Sequence, residues 1–117
     1  MAEATADTLA SELGEVLGGQ PFMVTTLRRV SAGSDGAISL VGTLAGTSGA
    51  VLLVLVAVLT LRLNVAQAVC AALGATAGLF IDSLLGATAE RRGWLNNDAV
   101  NFLSTLAAAL FATLLAA

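Results

Sequence analysis

Several residue types on which common enzymes depend are missing from this 117-residue sequence. It contains no histidine, no lysine and no tyrosine, and it has a single cysteine, Cys70. Without histidine, imidazole general-base catalysis and the usual zinc sites are excluded. One cysteine within an apolar run also excludes a disulfide framework.

Charged residues are scarce as well. They make up 11% of the sequence, against about 25% in an ordinary soluble domain. Apolar residues make up 57%, and the mean hydropathy is +0.92. The chain therefore lacks the charge needed to cover a water-facing surface. Its net charge of −3, with few basic residues, argues against a nucleic-acid partner.

Three apolar stretches are long enough to cross a membrane, which takes about 20 residues of helix. They cover residues 39–61, 65–87 and 99–117. A β-branched run in the first stretch could also form a buried strand, but its length and lack of alternation favour a helix. The sequence predicts an all-α, polytopic integral membrane bundle in one domain, residues 1–117. A short helix at 1–18 and a cytoplasmic loop at 19–38 precede the first span.

The arginines predict the orientation of the spans. Arg28, Arg29, Arg91 and Arg92 fall on one side of the membrane, and only Arg62 falls on the other. Arginine-rich connections face the cytoplasm, so the first side is expected to be cytoplasmic. The chain's four aspartates are expected at that same side: Asp7, Asp35, Asp82 and Asp98.

Asp82 is the most informative single residue because it lies within a span. A carboxylate there costs on the order of 2.5–3.5 kcal/mol on insertion scales. Gly74, Gly78, Asp82 and Gly86 recur every four residues and so lie on one helix face. Small residues at this spacing allow another helix to pack closely. The glycines that flank Asp82 are expected to leave open space for a metal ion or phosphate. The alternative is a carboxylate that is merely solvated at the interface.

The first helix repeats this arrangement. Asp7, Ala10 and Gly14 are spaced i, i+3, i+7 and share one helix face, where a phosphate and a metal ion could dock. The alternative is an acid favoured by the helix dipole. A flexible turn follows, whose backbone N–H groups could face an anion; it consists of Gly33, Ser34, Asp35 and Gly36.

Amides and an acid gather before the third span, in Asn96-Asn97-Asp98. One of them is expected to cap the helix. Asn101 lies one turn further on, on the same face as Asn97, where a buried amide needs a partner. Oxygen ligands of these kinds suit magnesium better than transition metals. A metal-assisted phosphoryl or nucleotidyl transfer is therefore the hypothesis that the residues support.

Four segments in order resemble a known membrane family. They are Ala4–Gly14 (ATADTLASELG), Gly33–Gly36 (GSDG), Asp82–Thr88 (DSLLGAT) and Asn97–Phe102 (NDAVNF). The family they resemble is domain-of-unknown-function family ninety-two, which includes the plant phytyl-phosphate kinase of vitamin E synthesis. Members are typically longer, so this chain is expected to be a C-terminal half, completed by a missing N-terminal half or by a homo-oligomer.

A more distant resemblance reaches polyprenol and dolichol kinases and phosphatidate cytidylyltransferases. Asp7, Ala10 and Gly14 match their D-x-x-A-x-x-x-G pattern, and Val41-Gly42-Thr43 partly matches their E-G-[ST] element, with valine in place of glutamate. The resemblance implies a CTP-dependent kinase acting on an isoprenoid alcohol or monophosphate, with magnesium, CTP and a prenyl lipid as its cofactors and substrate.

Roles for the candidate residues follow as a hypothesis. Asp7 and Asp82 would hold magnesium, while Asp98, Asn97 and Asn101 would position phosphate or metal. Ala10 and Gly14 would line the docking face, and the Gly33–Gly36 loop would close over the nucleotide. The alternatives are a membrane cytidylyltransferase, a non-enzymatic membrane subunit, and a truncated fragment.

Overall fold

The computed structural model describes residues 1–117 and contains four α-helices and one small hairpin. The helices are α1 (Ala2–Leu17), α2 (Leu40–Leu61), α3 (Val65–Leu85) and α4 (Asn97–Ala116), and a single π-helical turn, Gly86–Glu90, extends α3. Three of these helices, α2 to α4, are long and apolar enough to cross a membrane. The predicted all-α membrane bundle with three spans and a short first helix is confirmed.

The dimensions of the molecule match those of a bilayer. It measures 41 × 29 × 21 Å, and a bilayer with its headgroups is about 40–45 Å thick. The 22 residues of α2 span about 33 Å at 1.5 Å per residue. We call the end of the bundle that carries residues 18–39 and 86–96 the loop face.

Local sequence signals set the helix ends. Ser39 caps α2 by accepting a hydrogen bond from the backbone N–H of Gly42 at 3.0 Å. Asn64 and Gln67 form a reciprocal capping box at the start of α3. Between these helices Arg62 adopts a left-handed conformation, with φ of 53°, and so turns the chain within three residues.

The segment between α1 and α2 contains structure that the sequence pattern did not predict. Strand β1 (Phe22–Met23) pairs antiparallel with β2 (Ala37–Ile38), with Met23 opposite Ala37. Met23 is almost fully buried. The hairpin therefore holds this polar segment against the loop face rather than leaving it as an extended loop.

Small residues form the core of the bundle. Its central cluster consists of Ala6, Ala50, Ala75 and Leu79. At Gly46 a Cβ atom would lie 2.5 Å from the backbone oxygen of Ala6, so α1 and α2 approach each other backbone to backbone. Lipid tails are as apolar as leucine, so helices in a membrane associate through such close packing rather than through the hydrophobic effect.

Gly46→Ala tests this packing. In open space the change would stabilise a helix by about 1 kcal/mol, but here the methyl group would push α1 away and cost about 1–3 kcal/mol. We expect a lower thermal unfolding midpoint in detergent. Ser48→Val is the control, because it adds bulk on an exposed side of the same helix; equal midpoints for the two variants would contradict the close approach.

Candidate functional site at the loop face

One cavity of about 260 Å³ opens among the ends of the helices at the loop face. Several of the sequence-predicted residues line it together: Asp7, Ala10, Gly14, Gly33, Ser34, Asp35, Gly36, Asp82 and Asn97. The elements that bring them together are α1, the segment before β2, the end of α3 and the first turn of α4. Residues from four separate parts of the sequence thus share one site.

The carboxyl groups of Asp7 and Asp82 are within hydrogen-bonding reach of each other across the α1–α3 interface. Both residues are half-buried. The charged groups that act on Asp7 are all acidic, namely Asp82, Glu3 and Glu90, and every arginine in the chain is exposed. The pair therefore has no cationic side chain to neutralise it.

This environment raises the pKa of Asp7, which lies outside the three spans, from its ordinary value of 3.8 to about 7. Burial is the largest cause, because it disfavours the charged form. The negative charges of Asp82 and then Glu3 act in the same direction. Asp7 therefore favours a bound proton or a bound cation near neutral pH.

Two helix N-termini face the same cavity. Ser39, Gly42 and Thr43 from the start of α2 line it, as does Asn97 from the start of α4. The N–H groups of Gly42 and Thr43 already donate to the side chain and the backbone oxygen of Ser39, so what these first turns offer is the partial positive charge of a helix N-terminus. A phosphate group is stabilised at such a position. The cavity thus presents positive helix ends beside five carboxylates, those of Asp7, Glu15, Asp35, Asp82 and Glu90.

The Gly33–Gly36 loop packs on the π turn just beyond Asp82. A Cβ on Gly86 would lie 2.8 Å from the backbone nitrogen of Gly36, and one on Gly36 would overlap Ala87. Gly36 also has a φ of +74°, which favours glycine. Both glycines are therefore required for the loop to reach the cavity wall.

The open space expected at Gly78 and Gly86 is absent, and that interpretation was wrong. A Cβ on Gly78 would lie 2.5 Å from Glu3 Cγ and 2.7 Å from the Cβ of Ala108, and Gly86 packs against Gly36. Gly78 serves the packing of α3 against α1 and α4. The space beside Asp82 lies instead toward Ala10, Gly14 and Gly42, which line the cavity.

Two predicted residues of α4 lie outside the cavity lining. Asn97 lines the cavity and Asp98 does not, since successive residues of a helix point about 100° apart. The side-chain oxygen of Asn101 is buried and has no hydrogen-bond partner. Asn96, not Asn97 or Asp98, is the N-cap, accepting from the N–H of Ala99 at 2.9 Å.

Three polar residues near the site had not been singled out from the sequence. Glu3 and Ser104 are buried, and Thr105 lies beside them; together they connect to Asp82 through hydrogen bonds. The spacing of Glu3 and Asp7, one helical turn apart, is the signal that could have indicated Glu3. No comparable signal marks two hydroxyls in an apolar helix.

The residues present fit a magnesium ion bound together with phosphates. Magnesium in proteins is usually held by one or two carboxylates, with phosphate and water oxygens as its other ligands. No group of three or more His, Cys, Asp or Glu side chains converges as an all-protein metal site. Asp7 and Asp82, which line the cavity together, would supply the carboxylates.

The raised pKa of Asp7 predicts how stability depends on pH. The folded chain holds this proton more tightly than the unfolded chain, so ionisation lowers the free energy of unfolding as pH rises from about 4 to about 7. Asp7→Asn removes that penalty. Its thermal midpoint in detergent should therefore exceed the wild-type midpoint by a margin that grows as pH is raised through this range.

Ser11→Ala is the control for this prediction, because it changes a neighbouring residue of the cavity lining without changing charge. The difference between the thermal midpoints of Ser11→Ala and the wild type should not vary with pH. A margin for Asp7→Asn that is the same at low and neutral pH would contradict the proposed environment of Asp7.

Comparison with known proteins gives a consistent picture. The family model described as "Integral membrane protein DUF92" matches residues 1–109. An uncharacterized membrane protein of Methanocaldococcus jannaschii is 41% identical over 98% of this chain and 48% of its own length. For one of Synechocystis the identity is 33%, over 92% of this chain and 42% of that protein.

Protein VTE6, chloroplastic, of Arabidopsis thaliana is 32% identical over 94% of this chain and 34% of its own length. The chain thus spans half or less of the length of these curated relatives. No solved structure matches it. The match of the family model over most of the sequence, and these relatives, show that the chain belongs to the integral membrane protein family DUF92.

Proposed function

We propose that this chain carries the phosphate-binding centre of a CTP-dependent kinase that phosphorylates an isoprenoid alcohol or isoprenoid monophosphate. The observation that carries the proposal is the cavity in which the Asp7–Asp82 pair and two helix N-termini face each other. A magnesium–triphosphate unit has the matching chemistry, since it offers a cation to the carboxylates and anionic oxygens to the positive helix ends.

The size of the cavity supports this assignment. Small-molecule sites usually measure about 300–1,000 Å³, and this cavity measures about 260 Å³. It suits the phosphates and their metal ion rather than a whole nucleotide with a lipid. The base, the ribose and the prenyl chain would contact surfaces outside it, including those of the additional sequence that the longer relatives have.

The chain's own residues have definite tasks in the proposed reaction. Asp7 and Asp82 would hold magnesium, which neutralises charge on the phosphates when it is bound. The first turn of α2 would bind phosphate oxygens, and the Gly33–Gly36 loop would cover them and exclude water. The acceptor hydroxyl or phosphate would arrive at the boundary between the loop face and the apolar surfaces of the spans.

The family resemblance seen in the sequence supports the nucleotide and the lipid. The similarity to protein VTE6 over 94% of this chain agrees with the resemblance to a family that includes phytyl-phosphate kinase. The membrane location, established by the family and by three apolar helices, agrees with a lipid acceptor. A cytidylyltransferase is the second candidate, because the same phosphate site could serve attack on the α-phosphate.

A kinase assay with site variants tests the proposal. Membranes containing the full-length gene product should transfer label from γ-labelled CTP to phytol, phytyl phosphate or a longer polyprenol. Asp82→Asn and Asp7→Asn should each lower the rate by about 100-fold or more, since both would remove a carboxylate that holds the metal ion. Glu12→Gln is the matched control, because Glu12 is an exposed acid on α1 that does not line the cavity.

Each outcome of the assay has a defined meaning. Transfer of label from α-labelled CTP, with release of pyrophosphate, would show that the enzyme is a cytidylyltransferase and not a kinase. No transfer from CTP or ATP to any of these lipids would remove the proposed enzyme. A cellular function that survives the double change of Asp7 and Asp82 to Asn would indicate a non-enzymatic membrane subunit.

We also propose that the loop face is cytoplasmic, because it carries four of the five arginines. In a Cys70→Ala background, Ser34→Cys in intact cells should react with a membrane-impermeant maleimide only after the cells are permeabilised. Leu63→Cys, in the turn at the opposite end, should react before permeabilisation. The reverse labelling pattern would show that the loop face lies outside the cytoplasm.

A further inference from the structure

A buried polar cluster lies directly beneath the cavity. Glu3 is 3% exposed and Ser104 is fully buried, and neither lines the cavity. Glu3 contacts α3 at Gly78, which is 13 residues, or about 20 Å, from the start of that helix at Val65. The cluster therefore lies near the middle of the bundle, where a carboxyl group is costly unless it has partners.

Ser104 connects this cluster to the Asp7–Asp82 pair. Its Oγ lies 2.9 Å from Oε1 of Glu3 and 2.9 Å from Oδ2 of Asp82. The hydroxyl of Thr105 donates to the other carboxyl oxygen of Glu3. Glu3 thus fixes two neighbouring hydroxyls of α4, and one of these reaches Asp82 on α3.

The number of protons decides which way the Ser104 hydroxyl acts. It has one proton and two side-chain acceptors, Glu3 and Asp82, together with the backbone oxygen of Asn101 at 3.1 Å. Glu3 already receives a hydrogen bond from Thr105. Apart from its contact with Asp7, Asp82 has no other side-chain hydrogen-bond donor. We therefore assign the Ser104 proton to Asp82.

We propose that Glu3 and Ser104 are positioning residues for Asp82. Ser104 donates to Oδ2 of Asp82 and fixes the carboxyl plane, which leaves the other oxygen of Asp82, together with Asp7, for the cation that the cavity would bind. Because the one Ser104 proton goes to Asp82, Glu3 meets Ser104 as a carboxylic acid that donates to Ser104 Oγ through Oε1, while its other oxygen accepts from Thr105. This inference rests on the proposed function in one respect, namely that Asp82 is a metal ligand.

The inference follows the general behaviour of metal sites. Carboxylates that ligate metals are themselves held by hydrogen bonds from a surrounding shell, and losing such a partner typically lowers metal affinity by about 10–100-fold. Here the shell comes from α1 and α4, whereas the ligand is on α3. The affinity for the cation would therefore depend on how α1, α3 and α4 are positioned relative to one another.

Manganese binding, measured by electron paramagnetic resonance on the full chain in detergent with and without CTP, tests this inference. Ser104→Ala and Glu3→Ala should each lower Mn²⁺ affinity by about tenfold or more. Glu3→Gln should keep the wild-type affinity. Its amide oxygen can accept from Thr105, and its amide N–H can donate to Ser104, so the Ser104 proton still goes to Asp82.

Thr76→Ala is the matched control. Thr76 is a partly buried hydroxyl of α3 that bonds only to its own helix, at the backbone oxygen of Ala72, 2.9 Å away. Removing it should leave Mn²⁺ affinity unchanged. Thermal midpoints measured on every variant separate loss of the fold from loss of affinity, and the contrast between Glu3→Ala and Glu3→Gln decides the question if Ser104→Ala does not fold.

The outcomes distinguish this inference from the proposed function. Wild-type Mn²⁺ affinity in Ser104→Ala and Glu3→Ala, with binding lost in Asp82→Asn, would overturn the positioning role and leave the metal site in place. Equal losses in Glu3→Ala and Glu3→Gln would also overturn it, because charge rather than orientation would then matter. Absence of Mn²⁺ binding by the wild-type chain would overturn both.

Discussion

The contact between Asp7 and Asp82 is the interaction on which the rest of this structure depends. Two ionised carboxylates at about 4 Å repel by on the order of 4 kcal/mol at an effective dielectric of 20. The neighbouring charged groups are acidic and the arginines are exposed, so the protein itself supplies no counter-ion. Burial and like charge together favour a bound proton or a bound cation on the pair.

Close helix packing brings the two carboxyl groups together. Gly46 admits the backbone of α1 against α2, and Gly78 admits the Glu3 side chain between α3 and α4. The alanine-rich cluster around Ala6 fills the space between these helices. Because each of these positions is minimal in size, α1 lies deep enough in the bundle for Asp7 to reach Asp82.

The cavity combines groups of opposite polarity. Five carboxylates line it, from Asp7, Glu15, Asp35, Asp82 and Glu90, and the first turns of α2 and α4 present positive helix ends. A simple cation site would not need the helix ends, and a simple anion site would not tolerate the carboxylates. A ligand that contains both charges, such as a metal-bound phosphate, satisfies both parts at once.

Much of the fold, and part of the site, could be predicted from individual stretches of sequence. Spans of about 20 apolar residues must be helical in lipid because their backbone groups have no other partners. Asp7, Ala10 and Gly14 had to share a helix face because of their spacing. The grouping with the Gly33–Gly36 loop and Asp82 rested on topology and resemblance, and the structure brings these residues to one cavity.

What the sequence by itself determined is therefore the helical membrane architecture and which residues share each helix face, since both follow from local chain geometry and the absence of water in the bilayer. Only the tertiary structure decided that Asn97 rather than Asp98 lines the cavity and that Glu3 meets Ser104. Those two residues are 101 positions apart. The rotation and depth of a helix depend on how it packs against its neighbours, and no pattern within a single helix specifies them.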